Sequence, residues 1–220
     1  MAINKILDND LEQLQNMIEE MIETTKIQYA KSFSIIRDQN PELAELIIEH
    51  DKIINAMQNQ FTSAALWKIS KQKLIAKDLR LAIGGILISR EIERVADYSK
   101  SISRFFSSYH PNQQQVDMIV ELFELVVEML DAFSHLFSNP EINTNKITDL
   151  EVKISNKFKE FYAILIEYLK QAKTTKEVEK IIAVMKQIIN LERAGDHLIN
   201  VQEIVTFIKT GKFIELKEYN

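Results

Sequence analysis

Two short strings recur along this chain at one displacement. Asn-Pro-Glu stands at 40–42 and again at 139–141, and Ile92-Glu93-Arg94-Val95-Ala96-Asp97 returns as Leu191-Glu192-Arg193-Ala194-Gly195-Asp196, in each case 99 residues further on. A helix-start signal and a charged string far downstream of it share one offset, which chance seldom produces. Self-similarity at a fixed period marks repeated structural units. The 220-residue chain therefore divides into a first repeat at 1–109 and a second at 110–220.

Hydrophobic spacing says what each repeat contains. Leu7, Leu11, Leu14, Met17, Ile18, Met21 and Ile22 recur at three- and four-residue steps with polar residues between them, the pattern of one buried face on an α-helix. The same periodicity runs to the C-terminus, interrupted by five breaks. Asn40-Pro41-Glu42 combines a cap, a proline at the first helical position and an acid at the positive end of the helix dipole, and Asn139-Pro140-Glu141 repeats it. The polar run Ser70-Lys71-Gln72-Lys73 permits a turn. His110-Pro111-Asn112 ends the third segment, because proline disfavours helical geometry in the residue before it. Thr174 and Glu177 have capping-box spacing, and Gly211 can close the last helix in a left-handed conformation. The spacing predicts helices over 6–38, 41–69, 74–108, 113–138, 141–173 and 175–210. Gly 4 and Pro 3 fall far below the usual roughly 7% and 5%, as a chain of long helices requires. The fold class is all-α: six long helices in two tandem three-helix bundles related by internal duplication.

Charge and composition exclude several functions. A net charge of -5 and the lack of a basic stripe argue against a nucleic-acid partner, since phosphate neutralisation needs clustered Lys and Arg. With Cys 0 there is no thiolate nucleophile, disulfide framework or Cys-ligated metal. The start, Met1-Ala2-Ile3-Asn4-Lys5, lacks the basic and apolar regions of a signal peptide. The most apolar run, Leu79 to Ser89, contains Arg80 and falls short of the roughly 18 uncharged residues of a membrane span. A cytoplasmic location is the expectation.

The repeated string carries the chemistry. Residues four apart on a helix share a face with Cβ atoms about 5–6 Å apart, so Glu93 with Asp97, and Glu192 with Asp196, present neighbouring carboxylates. Their mutual repulsion disappears when a cation binds between them, and hard ions select such oxygen ligands. Among 32 acids, pairs such as Asp38/Glu42 and Glu45/Glu49 arise by chance; the two Glu-Arg-x-small-Asp copies stand apart because they recur at the common offset. Gly195 costs a helix interior roughly 1 kcal/mol against alanine, so a local reason for it is expected, such as the close approach of a backbone or ligand. His50, His110, His135 and His197 are scattered, and no Glu-x-x-His pair suggests a di-iron bundle. His197 reads as a surface or packing residue. Trp67, Phe105, Phe106, Phe133 and Phe137 fall on apolar faces and are expected in the core; Gly84-Gly85 either kinks its helix or permits close packing.

The string Leu191-Glu192-Arg193-Ala194-Gly195-Asp196-His197-Leu198-Ile199-Asn200-Val201, followed by Glu203 and Gly211, resembles the C-terminal signature of the PhoU family of bacterial phosphate-uptake regulators. The first repeat adds Ile48, Asp51, Ile54-Asn55, Asp78-Leu79-Arg80 and Glu93 through Tyr98, so the resemblance covers nearly the whole chain. It implies acidic surfaces that hold metal ions (iron, zinc, manganese or magnesium) through Glu/Asp-x-x-x-Asp motifs from adjacent helices. By position those ligands are Asp51, Asn55, Glu93 and Asp97 in the first repeat, and Glu192, Asp196 and Asn200 in the second. The fifth-helix counterpart is degraded to Asp149, Glu151 and Ser155 with a register slip of about one residue. Asn55 replaces an acid, Ser101 stands where the second copy has Asn200, and the family's proline before Asp78 is missing. The resemblance further implies a non-catalytic adaptor between a phosphate ABC transporter's ATPase subunit and a sensor histidine kinase. Such an adaptor dampens starvation signalling, forms a homodimer and associates at most peripherally with a membrane. The alternatives are a metal-dependent hydrolase using the same carboxylates and a helical scaffold without metal.

Overall fold

The computed structural model describes the backbone of residues 2–38, 43–71, 74–134, 137 and 144–216. Six helices follow one another: α1 (Ala2–Asp38), α2 (Leu43–Lys71), α3 (Ala76–Ser108), α4 (Gln113–Ala132), α5 (Thr144–Gln171) and α6 (Thr175–Thr210). No strand occurs among the described residues. Helices α1, α2 and α3 pack as one bundle and α4, α5 and α6 as another, while α3 lies along α6 and α1 reaches α4 across the middle. This is the tandem arrangement expected from the duplication. The two Asn-Pro-Glu signals at 40–42 and 139–141 lie outside the described residues.

The apolar stripes become the core. Leu14, Ile18, Ile22, Ile54, Ile88, Ile92 and Val95 are buried in the first bundle, and Ile119, Leu122, Val126, Ile188 and Leu198 in the second. Each such side chain contributes about 1.5–3 kcal/mol when taken out of water. Tyr29 of α1 and Phe123 of α4 meet with ring centroids 4.9 Å apart, which joins the two apolar interiors. A polar seam runs between α1 and α3: Gln28 Nε2 donates to the Ala96 carbonyl at 2.8 Å, Tyr29 Oη to the Val95 carbonyl at 3.0 Å, and Ser103 Oγ to Ser32 Oγ at 2.9 Å. A shift of one helical step would leave these buried groups unpaired, so the seam sets the register of α1 on α3.

Where helices end, the capping chemistry is visible. Glu177 accepts from the Lys173 and Thr174 amides at 2.7 and 3.1 Å while Thr174 Oγ1 accepts from the Glu177 amide at 3.2 Å. Gly211 closes α6 at φ 75 and donates to the Phe207 carbonyl at 2.7 Å. A second capping box joins Asn112 and Gln115 at the start of α4; its Asn-x-x-Gln spacing was present in the sequence directly after Pro111. The fourth helix stops at Ala132 and not at 138. There Phe133 and Ser134 donate to the Leu130 and Asp131 carbonyls, tightening the chain into a turn, and the Phe137 amide is taken by Glu19 Oε1 of α1 at 2.8 Å. The apolar period persists through Phe133 because the turn still delivers that ring into the core.

Two expectations about side chains are settled differently from each other. Phe105, Phe106 and Phe133 are buried and Phe137 packs at the core's edge, but Trp67 is 57% exposed. At that level α2 turns Ala65 and Lys68 inward instead, and Lys68 Nζ reaches Gln13 Oε1 of α1 at 3.1 Å. The glycine pair serves close packing: a Cβ on Gly84 would lie 2.6 Å from Ile208 of α6, and one on Gly85 would overlap the Phe61 ring of α2. Gly195 likewise admits Ile154 of α5, 3.2 Å from the position of a Cβ. The small residue in the motif therefore accommodates a neighbouring helix.

Candidate functional site

In the first repeat, α3 carries Glu93 and Asp97 on one face, and α2 brings Asp51 and Asn55 against it. Asp51 is 4% exposed. Between the two helices lies the ammonium of Lys100, 2.6 Å from Asp51 Oδ2 and in contact with Asp97 Oδ1. Asn55 Nδ2 leans on the same Asp51 oxygen at 3.4 Å. These groups act on one another electrostatically. Burial, the Asp97 carboxylate and the Asp51 carboxylate push the Glu93 carboxyl above its ordinary range. Burial alone would lower the Lys100 ammonium, but hydrogen bonds to Asp51 and Asp97 outweigh it and hold the amine above its ordinary range.

The donor set suits a hard cation. Asp51 Oδ1 and Asn55 Oδ1 are both buried without a hydrogen-bond partner, and unsatisfied carboxylate and amide oxygens are what such ions coordinate. Yet among the described residues no three His, Cys, Asp or Glu side chains converge tightly enough to form a ready-made metal centre. In the first repeat, the space between Asp51 and Asp97 holds Lys100.

The second repeat reproduces the scaffold with a slipped register. Asp51, Ile54 and Phe61 of α2 are buried, and so are Glu151, Ile154 and Phe161 of α5, 100 residues further on; α3 and α6 correspond at 99. The difference is absorbed in the connections, 72–75 between α2 and α3 against 172–174 between α5 and α6. Glu151 is therefore the counterpart of Asp51 and Ser155 that of Asn55, whereas Asp149 is exposed. Glu192 and Asp196 occupy on α6 the places of Glu93 and Asp97. At the position of Lys100 stands Ile199, 1% exposed. Asn200 joins a different group: its Nδ2 donates to Glu91 Oε2 of α3 at 2.9 Å.

That contact belongs to the interface between α3 and α6. His197 Nδ1 lies 2.7 Å from Glu91 Oε2, and its Nε2 lies 3.2 Å from Tyr98 Oη, with the two rings stacked at 5.7 Å. Further along, Asn190 Nδ2 donates to Ser101 Oγ at 3.1 Å. Burial pushes the Glu91 carboxyl up, but hydrogen bonds from His197 and Asn200 and the nearby Arg94 charge prevail and leave it below the usual carboxylate range. Beside the stacked rings, Arg94, Arg193, Asp196 and Glu203 line a cleft of about 480 Å³, and the Arg193 and Arg94 charges act on the Tyr98 hydroxyl. The two motif arginines thus face the junction of the repeats. Sequence reasoning missed Lys100 and Glu91. The 99-residue offset that also relates Tyr98 to His197, and Glu91 to Asn190, was the available signal for the interface.

A family profile described as the PhoU domain matches this chain twice, over residues 18–106 and 119–205. The chain belongs to the PhoU family. A curated relative from Zymomonas mobilis, named as a phosphate-specific transport system accessory protein PhoU homolog, is 30% identical over 94% of this chain and 88% of its own length. The crystal structure of PhoU from Pseudomonas aeruginosa superposes with a TM-score of 0.82 at 19% identity, covering 93% of this chain and 99% of that one. The PhoU structure from Streptococcus pneumoniae gives 0.80 at 20% identity, covering 94% and 99%. These two likenesses establish the PhoU fold, and each of the two matched segments contains one copy of the Glu-Arg-x-small-Asp motif.

Proposed function

We propose that this PhoU-family chain is an accessory regulator of phosphate transport that binds metal ions on its acidic helix faces and links a transporter ATPase to a sensor histidine kinase. The observation that carries the reading is the match of both repeats to the PhoU domain, with a relative named as a phosphate-specific transport accessory protein aligned along nearly the entire chain. The acidic faces support it. In the first repeat the buried Asp51 faces Glu93 and Asp97 of the neighbouring helix, and the second repeat has acids at the equivalent positions, Glu151, Glu192 and Asp196. A cation bound there relieves the like-charge repulsion of the i,i+4 pairs. Asp97 remains about half exposed, so a docking partner can approach the bound ion. No helix among the described residues is long and apolar enough to cross a membrane; the proposal further takes the adaptor to be cytoplasmic, dimeric and at most peripheral at a membrane.

Affinity capture from the source cell at high and low phosphate tests the adaptor role. Recovery of a transport ATPase or a histidine kinase, changing with phosphate, is the expected result; recovery of neither rejects it. The metal component is tested separately. The double variant Glu192→Ala with Asp196→Ala is expected to lose bound metal by elemental analysis while keeping its helical circular dichroism, and unchanged metal content rejects the second-repeat site.

A further inference from the structure

We propose that Lys100 is a tethered cation that occupies the first acidic cluster, so that a metal ion binds there only by displacing it. This rests on the metal-binding part of the function proposed above and goes beyond it, by assigning control of the first site to one residue.

Three observations converge. The first is position: the Lys100 ammonium touches one oxygen of Asp51 on α2 and one of Asp97 on α3, bridging the two helices where a shared ion would lie. The second is the internal control of the duplicated fold. The equivalent residue on α6 is Ile199, buried and uncharged, so the lysine is not a requirement of the helix packing. The third is incomplete neutralisation. One ammonium faces Asp51, Glu93 and Asp97, and with it in place Asp51 Oδ1 and Asn55 Oδ1 still have no partner. Asp51 is 4% exposed, so its orphan oxygen gets no compensation from bulk solvent. A divalent ion would use the oxygens the ammonium leaves over.

Displacement is feasible because lysine's four-carbon stem is flexible and its head is readily hydrated. When the competent state is only a fraction of the population, the apparent dissociation constant rises by the inverse of that fraction. With Lys100 withdrawn in about 1–10% of molecules, the first cluster binds roughly 10- to 100-fold more weakly than it would without the lysine.

The experiment is a calorimetric titration of metal-stripped, full-length protein with Mn²⁺, in wild type and in Lys100→Ile, which installs the residue found at 199. Both are also measured with Glu192→Ala and Asp196→Ala present, which isolates the first cluster. Lys100→Ile is expected to tighten that cluster by about tenfold or more. Lys100→Gln, which keeps a polar side chain without charge, serves if the isoleucine variant loses helicity, and should tighten binding in the same direction. As a second readout, Mn²⁺ should raise the melting temperature of Lys100→Ile more than that of wild type. Equal first-cluster affinities with and without the lysine overturn the proposal and leave the metal-binding reading standing. Absence of Mn²⁺ binding in every variant overturns both.

Discussion

In the first repeat α2 sets Asp51 against Glu93 and Asp97 of α3 with Lys100 between them; in the second, the equivalent positions are Glu151 on α5 and Glu192 and Asp196 on α6, with Ile199 in the lysine's place. The backbones are copies, so the electrostatic difference resides in a few side chains. Packing between the same helices also differs at single positions. Phe61 lies on Gly85 in the first repeat, whereas the equivalent positions in the second are Phe161 and Val184. Conversely, Ile154 lies on Gly195 where the first repeat pairs Ile54 with Ala96. In both pairs the residue on α2 or α5 is the same in the two repeats and only the size of the residue on α3 or α6 changes, just as position 100 is a lysine and position 199 an isoleucine.

Exchanging residues between repeats tests how independent they are. The largest effect is expected from Gly85→Val, which copies position 184 into α3. Its side chain would overlap the Phe61 ring, and overpacking a close-packed site costs about 3 kcal/mol. Thermal melts followed by circular dichroism should show a loss of roughly 6–12 °C; a loss under about 2 °C would mean that the two interfaces are interchangeable. Asp51→Ala should cost about 2 kcal/mol, because it removes a buried partner of Lys100. In a double-mutant cycle its coupling to Lys100→Ile should reach about 1 kcal/mol, and simple additivity would deny that the pair interacts. Gly195→Ala, which copies position 96, should fall within about 1 kcal/mol of wild type. The gain in helix propensity is offset by a small displacement of the Ile154 methyl.

The smallest effect concerns pH. Glu91 is held below its ordinary range in the folded protein, with His197, Asn200 and Arg94 facing it. Its stabilising contribution is therefore complete above the unfolded carboxyl pKa and is lost as pH falls through the folded value. The equivalent contact on the other side, Asn190 to Ser101, has no ionisable group. Glu91→Gln should accordingly flatten part of the acid limb of a stability–pH profile, while Asn190→Ala lowers stability by a similar amount at all pH values. Parallel acid limbs in wild type and Glu91→Gln would contradict this.

The fold was legible because its determinants are local. Apolar residues at three- and four-residue steps, the Thr174–Glu177 box and Gly211 each act within a few residues of themselves. What escaped was tertiary. Nothing near Phe133 indicates that α4 will end there, and beyond the turn the Phe137 amide finds its acceptor in Glu19 of α1. Trp67 looked like core because periodicity does not distinguish a tryptophan beside a buried lysine from one facing inward. The acidic pairs were readable from i,i+4 spacing and repetition. Lys100 was not, because three residues after Asp97 it resembles any surface ion pair until α2 brings Asp51 to it.

The interface between α3 and α6 has a consequence for how the two halves can diverge. Glu91 meets Asn200 and Ser101 meets Asn190; once the repeat offset is removed, these are one contact between the same two positions of the unit, made twice. Tyr98 and His197, also equivalent, meet each other. This is the pattern of an isologous dimer interface, in which residue i touches j and j touches i. In a homodimer every substitution appears on both sides of the axis, so an acid–imidazole pair could arise only together with its mirror copy. Two units joined in one chain are released from that constraint: one side carries a carboxylate, an imidazole and an amide, and the other an amide and a hydroxyl. The covalent link between the repeats is what allows one acidic face to carry a lysine while its twin does not.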